Sequence, residues 1–117
     1  MVQPIRIFLG DLTYNTVGMS TEVFPLNVGY IAAHCKKRFG SKIDITLFKY
    51  IDKLEKSIYE NPPDVLGLSN YVWSYRIGLE MFDLVRSQNP DVITVWGGPN
   101  FPQDLESQQS FMKKCSN

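Results

Sequence analysis

The chain has 117 residues, 44% of them hydrophobic and 21% charged, a balance that fits one compact domain with a core of its own. Twelve Lys and Arg offset twelve Asp and Glu, so the formal net charge is zero, and neither a nucleic-acid surface nor an anionic membrane is expected as a partner. No apolar run approaches the ~18 residues of a membrane span, no signal peptide is visible, and Cys35 and Cys115 lack the spacing of a disulfide framework or zinc site. A cytoplasmic location is the expectation.

Ile5-Arg-Ile-Phe-Leu-Gly10 is a short apolar run ending in Gly-Asp and predicts a first strand. Asp11 to Phe24 has no clear period and is rich in Thr, Asn, Gly and Ser, which predicts a long loop of the kind that is usually functional or mobile. Pro25 opens a helical pattern that Gly40 stops. Leu26, Tyr30, Ala33 and Lys37 share one face of it, widened by Val28, Ile31 and Ala32. Its basic end, Lys36-Lys37-Arg38, complements the helix dipole.

Ile43 to Lys49 begins by alternating apolar and polar residues, as an edge strand with one wet face does. Asp52 to Glu60 predicts a short helix with Leu54 and Ile58 on its inner face, and Asn61-Pro-Pro-Asp64 forbids its continuation. Val65-Leu-Gly-Leu-Ser69 is a continuous apolar run, the mark of a strand buried on both faces. Ser74 to Ser87 is helical again, with Ile77, Met81, Leu84 and Val85 turned inward. Asn89-Pro90-Asp91 closes it, Val92 to Trp96 is the fourth strand, and a polar segment from Gln103 allows a weak last helix.

The order β-α-β-α-β-α-β predicts an α/β fold: a parallel sheet with helices on both faces, linked by right-handed crossovers. The third and fourth strands are expected at its centre. Ligands of such sheets bind beyond the carboxyl ends of the strands, where strand order reverses. The loops expected there run from Asp11 to Phe24, from Ser69 to Ser74 and from Gly97 to Pro102.

These loops are poor in catalytic groups. The single histidine, His34, falls inside the first helix, no Ser/His/Asp or Cys/His set can be built around it, and nothing in the spacing pairs Asp11 with Asp104 for acid–base work. The loops offer instead hydroxyls, amides, bare backbone and aromatics: Thr13, Asn15, Thr16, Ser69, Asn70, Tyr71, Trp73, Gly97, Gly98 and Asn100. That is a binding inventory, suited to a broad ligand with a polar fringe. Plainer roles compete: Ser69-Asn70 as a helix cap, Tyr71 and Trp73 as core residues, Gly97-Gly98-Pro99 as a turn. A receiver-type aspartate is absent because the third strand ends in Ser69, and no GxGxxG fingerprint of a dinucleotide site is present. Thr13-Tyr-Asn-Thr16 faintly resembles a flavodoxin-type phosphate loop, but further residues separate it from the helix that should face the phosphate.

Three blocks carry a family resemblance: Phe24-Pro-Leu-Asn-Val-Gly-Tyr-Ile-Ala-Ala33, Pro63-Asp-Val-Leu-Gly-Leu-Ser-Asn-Tyr-Val-Trp-Ser74 and Val95-Trp-Gly-Gly-Pro-Asn100. In this order they resemble the N-terminal cobalamin-binding domain of radical S-adenosylmethionine enzymes, over most of the chain from the first strand to about Pro102. The resemblance implies a flavodoxin-like, Rossmann-like open parallel sheet of four to five strands, with cobalamin held over its carboxyl edge by Asp11, Leu12, Thr13, Ser69, Asn70, Tyr71, Gly97, Gly98, Pro99 and Asn100. In the wider cobalamin-binding fold a D-x-H-x-x-G loop supplies a cobalt-ligating histidine. Here Asp11-Leu12-Thr13 has threonine in that place and Thr16 replaces the glycine. Ser69-Asn70-Tyr71 keeps the serine of an S-x-L segment but not its leucine, and Gly97-Gly98 keeps the glycine pair. A cobalt with water or no lower ligand is what this pattern implies.

The same resemblance implies a parent enzyme in which a radical SAM barrel, with its 4Fe-4S cluster and S-adenosylmethionine, is the partner of this domain, for methyl transfer or another radical-initiated modification. Residues 1–117 are then expected to be a single, non-catalytic domain that stops before a fifth strand and before the barrel, with the fourth strand's edge open to self-association. The alternatives are a substrate-recognition or docking domain that keeps the fold without cobalamin, and a flavin or nucleotide binder.

Overall fold

The computed structural model describes residues 3–13, 26–71 and 73–115. Within them the chain forms β1 (Ile5–Thr13), α1 (Leu26–Phe39), a 3-10 turn (Gly40–Lys42), β2 (Ile43–Tyr50), α2 (Ile51–Glu60), β3 (Val65–Ser69), α3 (Tyr75–Gln88), β4 (Ile93–Gly97) and α4 (Leu105–Cys115). The strands make one parallel sheet in the order β2-β1-β3-β4. The α/β alternation and the edge position of β2 are as the sequence predicts. The predicted centre is corrected: β1 and β3 are central, and β4 is the second edge.

Side-chain alternation splits the sheet into two faces. Phe8, Phe48, Leu66 and Leu68 point to one side and meet Leu54 and Ile58 of α2 and Met81, Phe82 and Val85 of α3 in a single core. Leu54, Ile58, Leu66 and Val85 are fully enclosed. Both helices of this layer end alike: asparagine takes the last position, its backbone N–H donating to Ser57 after α2 and to Val85 after α3, and proline follows. The proline segment also ties the sheet together, for Arg6 donates to the Pro62 carbonyl and Asn89 to that of Pro63.

α1 lies on the opposite face, so the two crossovers that flank β1 pass on different sides, as right-handed connections require. Among its described side chains Val28 is buried, with Gly29, Ala32 and Cys35 half-buried behind it. Tyr30, at 68% exposure, and Ala33 face outward, against the expectation that they share the inner face. Two overlapping stripes are apolar here. The one with small residues packs, because glycine and alanine let the helix approach the sheet closely.

β1 is longer than expected. It stays in register with β2 from Ile5 to Gly10, bulges, and pairs again at Thr13 with Tyr50. The predicted loop therefore does not begin at Asp11. Leu12 keeps the chain on the sheet by entering the core at 5% exposure. Asn15, Thr16 and the rest of that predicted loop lie outside the described residues, as does Pro25, expected to open the helix.

Beyond β3, the described residues cover the far half of the sheet on one side only. There Trp96 sits among Tyr75, Phe82 and Phe111, and its indole lies on Gly78 of α3, where a methyl group would come within 3.1 Å of the ring. On the α1 side Ile93 and Val95 are 61% and 52% exposed. The edge itself is open. Ile93 N–H donates to Asp64 and the Gly97 carbonyl accepts from Asn70, so the odd residues of β4 bond β3, and Thr94 and Trp96 turn their backbone groups outward. This is the edge at which the self-association expected from the sequence would take place.

The weak last helix is present as α4, capped by Asp104, whose carboxylate accepts the Ser107 N–H at 2.9 Å. That hydrogen bond pulls the Asp104 carboxyl below its usual 3.8. A folded-state value below the unfolded one means the cap stabilises above 3.8 and is lost as pH falls through the depressed value. The protection of the Ser107 amide, its exchange rate taken against the intrinsic rate at each pH, is expected to fall on acidification into that window and to be absent at every pH in Asp104→Ala.

Candidate functional site

Strand order reverses between β1 and β3, and the carboxyl ends of the two diverge there, with β4 alongside. On the α1 side of this point lies a groove of about 460 Å³, lined by Leu9, Val28, Ile31, Gly67, Val95 and Gly97, with Ser69 and Tyr71 at its polar end. Its floor is low because β3 carries glycine at position 67, between Leu9 and Val95. Its wall is α1, whose first turn reaches the end of β3.

The residues named from the sequence divide into groups. Ser69 is buried at the end of β3, and its hydroxyl accepts from the Asn27 side chain at 2.9 Å. Tyr71 is half-buried, accepts from the same amide at 3.2 Å, and stacks on Trp73 with ring centroids 4.6 Å apart and planes 4° from parallel. Trp73, 66% exposed, is a surface platform and not a core residue. Ser74 fastens the turn between them, donating to the Ser69 carbonyl and accepting the Tyr71 N–H.

Asn70 does something different. At 2% exposure it is clasped to the loop after β4: its Nδ2 donates to the Asn100 carbonyl at 2.9 Å, and its Oδ1 accepts from the Asn100 amide at 3.3 Å. Its backbone carbonyl accepts the Asn100 N–H, and its N–H donates to Gly97. Asn70 and Asn100 are thus spent on each other, holding two strand-end loops together.

The two glycines also part company. Gly98 has φ +131°, and a methyl group there would stand 2.7 Å from the Asn70 carbonyl oxygen. It is bare because the chain folds back on Asn70. Gly97 has no described residue within 4 Å of the place its methyl group would occupy, so among the described residues its missing side chain leaves open space at the edge. Pro99 is exposed beside it.

At the end of β1, Asp11 is half-buried and burial pushes its carboxyl above 3.8, whereas Leu12 points into the core and can offer a ligand only its backbone. The side chain of Thr13 lies outside the described residues. His34 is exposed on α1 about two turns from the carboxyl edge. Among the described residues no group of three or more His, Cys, Asp or Glu could hold a metal ion, and no helix is long and apolar enough to cross a membrane.

Asn27 is the site residue that the sequence reading missed. It is 42 positions from Ser69, and the one hint of it is an amide in an otherwise apolar first turn of α1.

An open parallel α/β sheet with a groove and hydrogen-bonding groups at its switch point defines a ligand-binding domain of the flavodoxin-like kind. Residues 15–111 match the B12 binding domain family, and the chain belongs to that family. It is 32% identical over 93 residues to the cobalamin-dependent radical SAM methyltransferase TokK of Streptomyces tokunonensis, a match that covers 74% of this chain and 13% of that protein. It is 45% identical over 40 residues to the 2-(S-pantetheinyl)-carbapenam-3-carboxylate methyltransferase of Streptantibioticus cattleyicolor, covering 34% of this chain and 6% of that enzyme. The chain therefore spans a small fraction of the curated relatives it matches.

Proposed function

We propose that this chain is the cobalamin-binding module of a radical SAM enzyme that performs methyl transfer or another radical-initiated modification, and that the domain itself catalyses nothing. The observation that carries the proposal is Gly97, whose empty side-chain position opens the carboxyl edge directly above an apolar groove at the switch point. Both relatives are named as methyltransferases, and one as cobalamin-dependent.

The residues present fit such a group. Gly97 gives a bare bed against which a flat macrocycle can lie, Gly98 holds the loop beside it back against Asn70, and the stacked Tyr71 and Trp73 flank it. Ser69 and Tyr71 bring hydroxyls to the mouth of the groove, where the cofactor's nucleotide tail would enter. Asp11 and the backbone of Leu12 and Thr13 close the β1 side. Cobalamin, when bound, supplies a cobalt centre able to carry a methyl group. The chain's own part is to bind and orient it: the single histidine stands away from the strand ends, so this domain's described residues bring no imidazole to the edge. The iron–sulfur cluster and S-adenosylmethionine would belong to a barrel domain elsewhere in the parent.

Full-length protein incubated with hydroxocobalamin and desalted is expected to keep a corrin spectrum at near-stoichiometric level. A folded protein that retains no corrin absorbance overturns the proposal. The apolar exposure of Ile93 and Val95 favours a second reading, in which the domain docks a neighbour without cofactor. That reading requires Gly97→Leu to leave the parent's activity intact, and the cofactor reading requires its loss.

A further inference from the structure

The side-chain amide of Asn27 has a fixed orientation. The Val28 N–H, which can only donate, points at Oδ1 at 2.8 Å and so identifies the oxygen end. The other end is then NH₂, a donor without acceptor capacity, and it reaches both Ser69 Oγ at 2.9 Å and Tyr71 Oη at 3.2 Å. Each hydroxyl is therefore held as an acceptor toward Asn27, and its own proton must leave in another direction. The described residues offer neither proton an acceptor. Ser69 is 93% enclosed, and both hydroxyls line the mouth of the groove over Gly67 and Gly97.

From this clamp we infer that Asn27 is a positioning residue which turns Ser69 and Tyr71 into outward donors, so that the groove selects a ligand end rich in acceptors. Two hydroxyls that could each have served as donor or acceptor are reduced to one role by a third side chain. The inference rests on the cobalamin reading and deepens it: the nucleotide tail, with its phosphate oxygens and ring nitrogen, is the acceptor-rich end of that cofactor, whereas cobinamide lacks it.

Asn27→Asp separates this role from a structural one. The carboxylate keeps an oxygen for the Val28 N–H, but where NH₂ stood it presents a second acceptor. The Ser69 and Tyr71 protons then turn to Asp and away from the groove. Equilibrium binding of cobalamin and of cobinamide to the full-length protein is read from the visible spectrum. Asn27→Asp is expected to weaken cobalamin about tenfold, the scale of one well-placed hydrogen bond, and to leave cobinamide within about twofold. Ser69→Ala, which removes a donor without adding a charge, is expected to shift the same ratio, and the double variant to bind cobalamin no more weakly than Asn27→Asp alone. An unchanged cobalamin-to-cobinamide ratio in either single variant, or an equal loss of both corrinoids, overturns the role of Asn27. Wild-type protein that binds neither corrinoid overturns the cobalamin reading itself, and this role with it.

Discussion

Gly98→Ala is expected to destabilise the fold by about 2–3 kcal/mol, while Gly97→Ala leaves stability within about 0.5 kcal/mol of the parent. Gly98 stands at φ +131°, where any side chain is strained. The added carbon would also meet the Asn70 carbonyl oxygen at 2.7 Å and its amide nitrogen at 3.0 Å, both of them backbone atoms that cannot swing aside. Relief would require the loop after β4 to lift, breaking the Asn100 bonds as it goes. At Gly97 neither condition holds, since the φ is ordinary and no described residue lies within 4 Å. Chemical denaturation of the two variants measures the difference directly. Corrin retention should reverse the order of interest: Gly97→Leu loses the cofactor on a stable fold.

Asn70→Ala is expected to cost a similar 2–3 kcal/mol, the sum of a lost buried clasp and the unpaired groups it leaves on Asn100. The side chain is 2% exposed and makes both of its bonds to Asn100, 30 positions away, so no water can take its place without opening the edge. Asn70→Asp sharpens the test. Its carboxylate can still accept from the Asn100 amide, but it now faces the Asn100 carbonyl with a second oxygen. Once protonated, the acid can donate to that carbonyl as the amide did. The variant is therefore expected to be weakest at neutral pH and to recover part of the loss on acidification, which thermal melts across pH will show. A flat pH profile would mean that the clasp does not hold the two loops.

How much of this was readable in the sequence depends on whether one strand or several decide a feature. β3 was placed to the residue because a strand enclosed on both faces needs a continuous apolar run, and Val65 to Ser69 is one. The helices on either side of it, α2 and α3, end where Asn-Pro forbids continuation. The length of β1 was not legible, because whether Leu12 leaves the sheet depends on a cavity supplied by α2, α3 and the other strands. The inner face of α1 was misread for the same reason: its sequence offers two stripes, and only the closeness of the sheet selects the one with small residues.

The site divides along the same line. Ser69, Asn70, Tyr71 and the glycine pair could be named because they stand where strands end. Their division of labour could not. That Gly98 is bare for Asn70 and Gly97 for open space is a matter of one dihedral angle and of a contact between residues 28 positions apart. Asn27 was invisible because its partners lie across the sheet's switch point, and local propensity has nothing to say about them.

The two tryptophans give the domain a pair of separate optical reporters. Trp96 is wedged against Gly78 among three other rings, so its emission follows the docking of α3 and α4. Trp73 stands in solvent on Tyr71, at the lip of the groove. A bound chromophore that absorbs in the near ultraviolet would quench both by energy transfer, since Trp96 directly precedes Gly97. Trp73→Phe leaves Trp96 as a single reporter, whose emission follows folding in the unliganded protein and occupancy once the chromophore is added.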